Sequence, residues 1–299
     1  MKIKLLTACG IAAMLLGSCA KDNNLDQGES SITFNGRVQK AANVNTTRTW
    51  ATNDEIGIFM VDHGTTTISG GHANRQYKTS DGSTFAAVAG NELYYPVSDS
   101  KVDFISYYPF SAGLSTLGNY PVDVSAQTNL AVLDLLWTKA DHAGVGYNKT
   151  AGSNVPLVFD HKLAKLVIKP NASSGLDGTS TDWKNMGINI VGMNTKADFA
   201  LSTGVLSNLN SIATITPFLK TAGAEYEAII LPATFTQAGN LKITFLIAGD
   251  TYTWNCQAGE TFEAGKVYNF TIDVAKTGVT LGNVTINDWI EVLRTGTAN

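Results

Sequence analysis

The histidines and acidic residues are the first candidates for chemistry in this chain. The four histidines are His63, His72, His142 and His161. None of them pairs with another at the spacing that metal ligands use. Asp141 and Asp160 each directly precede a histidine, but neighbouring residues on a strand point to opposite faces of a sheet. The sequence therefore predicts neither a metal site nor a catalytic Asp–His pair.

Other catalytic motifs are also missing from the sequence, which contains no GxSxG, Walker, GxGxxG, CxxC or HExxH pattern. Two carboxylates from distant strands could still meet to cleave a glycoside, so this alternative stays open. Asp54 and Glu55 fit a solvated sheet edge or turn better. The SDGS stretch at 80–83 lacks the regular acidic spacing of a calcium loop. We therefore expect no enzyme activity, no cofactor and no metal.

The first residues indicate where the protein works. Lys2 and Lys4 precede an apolar run over residues 5–16, which is too short to span a bilayer. The run ends in LLGSC, with small residues directly before Cys19. This pattern resembles a bacterial lipoprotein signal, in which residues 1–18 are removed and Cys19 is lipidated. Several acyl chains on one residue anchor a protein firmly to a membrane.

The remaining cysteines agree with this interpretation. Cys9 would leave with the signal, and Cys256 then has no partner for a disulfide. We expect Cys256 to be a small buried apolar side chain within TYTWNC. The alternative to a lipid anchor is an ordinary secretory signal followed by an incidental Cys19.

Composition and charge restrict the class of protein. The net charge is -4 and there is no run of Lys or Arg, which argues against binding to nucleic acid. Abundant Thr, Asn, Ser, Gly and Val are typical of a secreted β protein. The chain is too long for one core, so we expect a tether at 19–30 and two domains at 31–155 and 156–299. The link between the domains is expected within 143–155.

Period-2 patterns predict many short strands. SITFNGRV, at 31–38, alternates apolar and polar residues, as a half-buried strand does. DEIGIFMVD is apolar on both parities, so it should be covered on both faces. In KVDFISYYPF, Pro109 should end the pairing or sit at a sheet edge. AQTNLAVLDLLWTKA could be either a short helix or a buried strand.

The second half repeats the same signals more clearly. In NLKITFLIAGDTYTW one face is apolar, and Gly249-Asp250 is expected to form a two-residue hairpin turn. In KVYNFTIDV, alternate residues starting at Lys266 share a face. Many short strands with turn signals and almost no helix predict an all-β fold of sandwich type.

Aromatic residues allow two interpretations. The residues concerned are Tyr94, Tyr95, Tyr107, Tyr108, Trp137 and Trp183. In β-sandwiches such rings usually fill the core or pair across strands, which is what we expect here. The alternative is a platform on which sugar rings stack.

Several motifs, taken in order, resemble the fimbrillin family of the Mfa-like kind. They are SITFNGR, TTRTWATNDEIGIF, YYPF, DLLWTKA, FDHKLAKLVI, EYEAIILPAT, FEAGKVYNFTI and VTINDW. The resemblance covers essentially the whole chain after Cys19. It implies two tandem transthyretin-like β-sandwich domains, no cofactor and no catalysis. It also implies a lipoprotein precursor at the outer membrane that joins other fimbrial subunits by donor-strand exchange, after an Arg-specific protease has cut behind the first strand.

Physical reasoning about sheet edges fits this scheme. Removing an edge strand leaves unpaired backbone groups beside an apolar groove, which another alternating strand can fill. We expect 31–38 to be that edge strand. Arg48 lies in the unpatterned TTRTW segment, where a protease could reach the backbone. The rival site is Arg37, which the strand should shield, and absence of processing is the third alternative.

The C-terminal region is the candidate donor. Val279, Leu281, Val284 and Ile286 follow one another with a period near two. The alternative is that this segment completes its own domain and that Trp289 fills the core.

The sequence leaves open whether the protein is a stalk, tip or anchor subunit. The TTRTW segment favours a pilus subunit or tip adhesin, because an anchor is not cut. Host or bacterial surface ligands would then bind to loops, with 62–90 and 171–187 as candidates. The alternative from another class is a surface glycan-binding lipoprotein of a polysaccharide uptake system.

Overall fold

The computed structural model describes residues 31–38 and 50–289. The described chain is almost entirely β, so the predicted all-β class is confirmed. Within these ranges, none of the helices could span a bilayer.

The first half forms one closed sheet. Its strands are β1 Thr33–Val38, β2 Glu55–Asp62, β3 Arg75–Thr79, β4 Thr84–Ala87, β5 Val102–Tyr108, β6 Asn119–Asp123, β7 Leu136–Ala140 and β8 Asn154–His161. Seven of them are hydrogen-bonded in the order β1-β4-β3-β2-β5-β7-β8, and a parallel β1–β8 pair closes the circle. We call this sheet the ring. It differs from the expected sandwich of two separate sheets, because β1 joins the two ends of the strand order.

The second half contains two five-stranded sheets and a short ribbon. Its strands are β9 Ala164–Ala172, β10 Gly187–Ala200, β11 Val205–Ile215, β12 Phe218–Thr221, β13 Glu225–Ile230, β14 Ala233–Phe235, β15 Lys242–Ile247, β16 Asp250–Asn255, β17 Glu260–Phe262, β18 Lys266–Ala275 and β19 Gly278–Asp288. One sheet has the order β11-β10-β15-β16, with β6 added beside β10, and the other has the order β12-β13-β9-β18-β19. The ribbon is β14–β17.

The expected boundary between 155 and 156 falls inside β8, Asn154–His161. Residues 154–161 pair with β1 and β7 and belong to the ring. The segment 143–155 is a connection within the first half and contains a 3-10 turn at Lys149–Ala151. In addition, β6 from the first half pairs with Lys196–Ala200 of β10. The Gly- and Asn-rich composition of 143–155 correctly indicated a loop. It could not indicate that β6 pairs with a sheet of the second half.

Helical structure is minor among the described residues. It comprises α1 Thr181–Lys184 and 3-10 turns at Ser69–Gly71, Leu130–Val132 and Lys149–Ala151. Ser180 caps α1 by accepting a hydrogen bond from the Trp183 backbone N–H at 3.1 Å. The ambiguous AQTNLAVLDLLWTKA stretch holds the turn at 130–132 and then β7.

Strand β2 is covered on both faces, as its sequence predicted, and β5 is covered on both faces as well. Ile58 and Phe104 point into the core of the ring. Phe59, Val61 and Tyr107 point the other way, into a core that is continuous with the second half. One pair of strands thus supplies both cores, which explains why their sequences are apolar on both parities.

The β15–β16 hairpin differs by one residue from the expectation. The turn residues are Ala248 and Gly249, since β16 already begins at Asp250. Both have positive φ, 51° and 92°, as a two-residue turn of type I′ requires. The apolar face of β15 is confirmed, because Ile243, Phe245 and Ile247 are buried.

Trp137 of β7 contacts the turn between β10 and β11. Its indole N–H donates to the Leu201 carbonyl at 2.8 Å. Gly204 has φ of 71°, and a Cβ built there would lie 2.7 Å from a carbon of the Trp137 ring. The residue at 204 must therefore be glycine for two reasons, its backbone angle and the ring above it.

These two reasons can be separated by substitution. Gly90 also has a positive φ, of 84°, but nothing lies within 4 Å of a Cβ built there. We expect Gly90→Ala to cost about 1 kcal/mol of unfolding free energy. Gly204→Ala should cost roughly 1–3 kcal/mol more, because Trp137 must move. Denaturant unfolding of both variants measures the difference. Equal losses of unfolding free energy would show that the contact with the Trp137 indole is unimportant.

Candidate functional site

The first strand is an internal strand of the ring, so the expectation that it lies at a sheet edge is wrong. It pairs with β8 along all six residues of Thr33–Val38 in a parallel ladder. On its other side it pairs with β4 only at Phe34 and Asn35. Alternation in the sequence gives the facing of a strand but not its neighbours, which is why the second partner could not be foreseen.

The alternating pattern of 31–38 is confirmed in detail. Ile32, Phe34 and Val38 are buried, whereas Asn35 and Arg37 are exposed. The Phe34 ring meets the rings of Tyr77 and Phe104 edge-to-face at centroid distances of 5.0 and 5.1 Å, a favourable geometry for aromatic pairs. The side chains of β1 are therefore a substantial part of the ring core.

Tyr77 fixes the start of this strand. Its hydroxyl donates to the Ile32 carbonyl at 3.1 Å and accepts from the Leu93 N–H at 3.0 Å. Ile32 in turn donates its N–H to the Leu93 carbonyl at 2.8 Å. Burial raises the pKa of Tyr77 far above its usual value, so the phenol remains a donor.

Gly36 fits beneath two rings. A Cβ built on it would lie 2.6 Å from Phe85 Cε2 and 3.2 Å from Trp50 Nε1. The Trp50 indole N–H donates to the Gly36 carbonyl at 2.9 Å. Sequence reasoning missed this contact, although a glycine at an inward position of an alternating strand signals a close approach.

Trp50 is firmly seated beyond the strand. Its ring contacts the rings of Phe85, Tyr108 and Phe159 at centroid distances of 5.1 to 5.3 Å. Its backbone N–H donates to the Gly82 carbonyl at 3.1 Å. The chain is thus anchored in the ring core at the first described residue after β1.

Without β1 the ring would contain a slot, which we define by the edges of β4 and β8 and by the rings of Tyr77, Phe85, Phe104 and Trp50. Both edges would present unpaired backbone groups, and the floor between them would be apolar. This arrangement would bind an extended strand with alternating apolar side chains.

Two of the predicted site residues, Cys19 and Arg48, lie outside the described residues. The rival processing site Arg37 is exposed, but its backbone lies opposite Val158 in the β1–β8 ladder. A protease needs an extended and accessible backbone, so the pairing protects this position.

The candidate donor residues lie in β19, at the edge of its sheet. Its only strand partner among the described residues is β18. The register slips at Gly282, which lies in a bulge, so Val279, Leu281, Val284 and Ile286 all face the same side. Val279 and Leu281 are half-buried, whereas Val284 and Ile286 are 36% and 57% exposed.

Trp289 directly follows this strand and is buried. Its ring stacks on His161 at a centroid distance of 4.2 Å with 6° between the planes. His161 Nδ1 lies 2.7 Å from Asp134 Oδ1. In this structure the C-terminal strand therefore completes its own sheet.

The acid–histidine contacts differ from the sequence neighbours. His161 pairs with Asp134 rather than Asp160, and His63 Nδ1 lies 2.8 Å from Asp103 Oδ1. The described residues contain no group of three or more His, Cys, Asp or Glu that could hold a metal. Cys256 is buried, and its sulfur accepts the Leu241 N–H at 3.3 Å.

The aromatic residues belong to the cores. Of those considered as a sugar platform, Tyr95, Tyr107, Tyr108 and Trp183 are buried, and Tyr94 and Trp137 are half-buried. The Trp183 indole donates to the Gly223 carbonyl at 2.8 Å. All ten tyrosines and five tryptophans are buried or half-buried.

Comparisons with known proteins give a consistent result. The fimbrillin-like family profile matches residues 41–289. A Bacteroides uniformis protein, provisionally named fimbrium subunit Fim1C, is 32% identical over 97% of this chain and 96% of its own length.

Solved structures show the same fold. A protein of Bacteroides uniformis, provisionally described as a cell adhesion protein, has a TM-score of 0.69 and 29% identity, covering 89% of this chain and all of that one. The tip fimbrial protein Mfa3 of Porphyromonas gingivalis, with a C-terminal truncation, has a TM-score of 0.52 and 11% identity, covering 87% of this chain and all of that one. At that identity the likeness concerns the fold alone.

His72 should make stability depend on pH. It is buried next to Arg75, and burial followed by the Arg75 charge lowers its pKa from 6.5 to about 4. The folded state therefore binds fewer protons than the unfolded state between these values, and stability falls as the pH drops below 6.5. Between pH 7 and pH 5 we expect a loss of roughly 1–2 kcal/mol from this group.

Denaturant unfolding of the native chain and of His72→Asn at both pH values measures this effect. The variant should lose less stability than the native chain on acidification. His142→Asn, which changes an exposed histidine, should behave like the native chain. An unchanged pH dependence in His72→Asn would contradict the assignment.

Trp289 should hold the end of β19. None of the eleven residues of β19 is buried, so Trp289 is the first deeply buried side chain of this segment. Trp289→Ala should increase amide hydrogen exchange in 278–288 at least tenfold, because the stack on His161 is lost. Exchange in β2 and β5 should not change. The exposed-residue variant Ile286→Ala serves as the control, and equal exchange in both variants would refute this role.

Proposed function

Because this chain belongs to the fimbrillin-like family, we propose that it is a non-enzymatic subunit of a cell-surface fimbria, or the adhesin at its tip. In this proposal it assembles with other fimbrial subunits through the slot of the ring. The observation that carries the proposal is the fit of residues 32–38, which fill the slot with three buried side chains and a glycine placed under Phe85 and Trp50.

Export as a lipoprotein is part of the proposal. Residues 1–18 act as the signal, and lipid on Cys19 holds the precursor at the outer membrane. Cys19 precedes β1, so the lipid and the first strand form one continuous piece of chain. The ring and the sheets of the second half correspond to the two transthyretin-like domains in this scheme.

Processing after Arg48 would separate this piece from the rest. The segment 39–49 joins β1 to Trp50, and Trp50 is buried in the ring core. A cut after Arg48 therefore makes Thr49 the new N-terminus, directly before the buried Trp50. After the cut β1 is held only by non-covalent contacts, and it can leave together with the lipid.

The vacated slot would then accept a strand from a neighbouring subunit. Two unpaired strand edges and an exposed apolar floor are unfavourable in water. An incoming strand would pair with both edges and cover the floor. Repeated head-to-tail insertion that does not close on itself gives a filament. The candidate donor is the C-terminal strand with Val279, Leu281, Val284 and Ile286, which must first leave its place beside β18.

Ligand binding by a tip subunit would use loops at the ends of the sheets. The region 62–90 contains β3 and β4 as well as connections at 63–74, 80–83 and 88–90. The second candidate, 171–187, contains α1. The alternative of a glycan-binding lipoprotein needs solvent-facing rings, and every Tyr and Trp is buried or half-buried. The described residues therefore give that alternative no support.

Mass spectrometry of surface filaments tests the processing step. We expect assembled subunits to begin at Thr49, and Arg48→Ala cells to hold lipidated, unassembled precursor. Arg37→Ala, at the shielded rival site, should assemble normally. Filaments whose subunits still begin at Cys19 would overturn the proposal.

A further inference from the structure

The slot restricts which strand can enter it, and this inference rests on the proposed donor-strand assembly. The four residues of 31–38 that face into the ring are Ile32, Phe34, Gly36 and Val38. An incoming strand must therefore offer two apolar residues, a glycine and one further apolar or β-branched residue at every second position.

The glycine is the strictest of these requirements. A Cβ at this point would lie 2.6 Å from Phe85 Cε2, and no ordinary contact of a Cβ atom is that short. Phe85 and Trp50 are buried and pack against each other at 5.1 Å, so neither ring can swing away into solvent. Close-packed interiors accommodate an added methyl group poorly.

Strand β19 carries this pattern in the reverse direction. Thr280, Gly282, Val284 and Ile286 have the spacing of Val38, Gly36, Phe34 and Ile32. Turning a strand around within the plane of its sheet keeps inward side chains inward, so the reversed order is compatible with the slot. We infer that residues 280–286 of a second copy enter the slot antiparallel to β8, with Gly282 under Phe85 and Trp50.

The reversed direction also improves the backbone pairing. In the unprocessed chain β1 runs parallel to β8 over six residues and antiparallel to β4 at Phe34 and Asn35. Antiparallel ladders are somewhat more stable for each residue, so reversal gains along the longer β8 ladder and loses along the shorter β4 ladder. Forward insertion would place Gly278 and Thr280 where Ile32 and Phe34 lie, and this loses the apolar contacts. The side chains and the backbone thus favour the same orientation.

The segment is suited to leaving its own sheet. It is an edge strand with none of its eleven residues buried, and Val284 and Ile286 are already exposed. Beside β18, the bulge at Gly282 places Val279, Leu281, Val284 and Ile286 on one face of β19. Without the bulge, Thr280, Gly282, Val284 and Ile286 share a face.

Gly282 therefore allows a test that separates folding from assembly. In its own sheet a Cβ on Gly282 would first meet Asp273 Oδ2, at 2.8 Å. That atom is the end of a half-buried side chain that can turn away. Gly282→Ala should leave the monomer folded, whereas the same methyl group would collide with two buried rings in the slot.

The experiment compares full-length chains with Gly282→Ala and Asn283→Ala, which changes a neighbouring residue facing the other way. We expect all three to unfold at midpoints within about 2 °C of one another. The native chain and Asn283→Ala should form filaments in electron micrographs, and Gly282→Ala should reduce filament length at least tenfold. Phe85→Leu in the accepting subunit should restore part of the assembly by making room.

A second measurement does not depend on the folding of the variant. A synthetic peptide spanning 278–288 should stop growth of native filaments, and the same peptide with Gly282→Ala should not. Normal filaments from Gly282→Ala, or equal inhibition by both peptides, would overturn the inference while leaving donor-strand assembly intact. If the native chain keeps β1 and forms no filaments, the proposed function fails and this inference fails with it.

Discussion

Closure of the ring by β1 is the constraint on which the rest of the structure depends. This strand is the single bridge between β4 and β8, and its Phe34 lies at the centre of an aromatic cluster with Tyr77 and Phe104. A sheet that closes on itself has no free edge, and it acquires two edges at once when one strand leaves. The same closure that protects the unprocessed chain therefore prepares it for assembly.

Loss of β1 would affect more than the ring, because β2 and β5 also contribute side chains to the core of the second half. A second connection runs along β8, which pairs with β1 and ends at His161, the residue on which Trp289 is stacked. Chains of packed side chains and paired strands of this kind can carry coupling between distant sites. The two ends of the proposed exchange, the slot and the C-terminal strand, thus meet at one strand.

Local features of the sequence predicted more than long-range ones. The facing of 31–38, the double coverage of β2 and the apolar face of β15 follow from periodicity, because burial of one face fixes alternation. The partners of β1, the membership of β8 in the ring and the His161–Asp134 pair depend on residues far apart in the chain. The close contact at Gly36 could be predicted in part, because a glycine at an inward position of a strand indicates a close neighbour. The aromatic side chains that cover it, Phe85 and Trp50, could not be identified without the fold.

Competition between β1 and a donor strand explains why a cut must come first. While 39–49 joins β1 to Trp50, the strand and its slot are one molecule, and a short connection gives an effective concentration of about millimolar. A donor on another subunit competes only at its own, much lower, concentration. Cutting removes this advantage, because β1 that has left together with its lipid is diluted and does not return. Assembly is then driven by covalent separation of β1, even if the donor binds the slot no more tightly than β1 does.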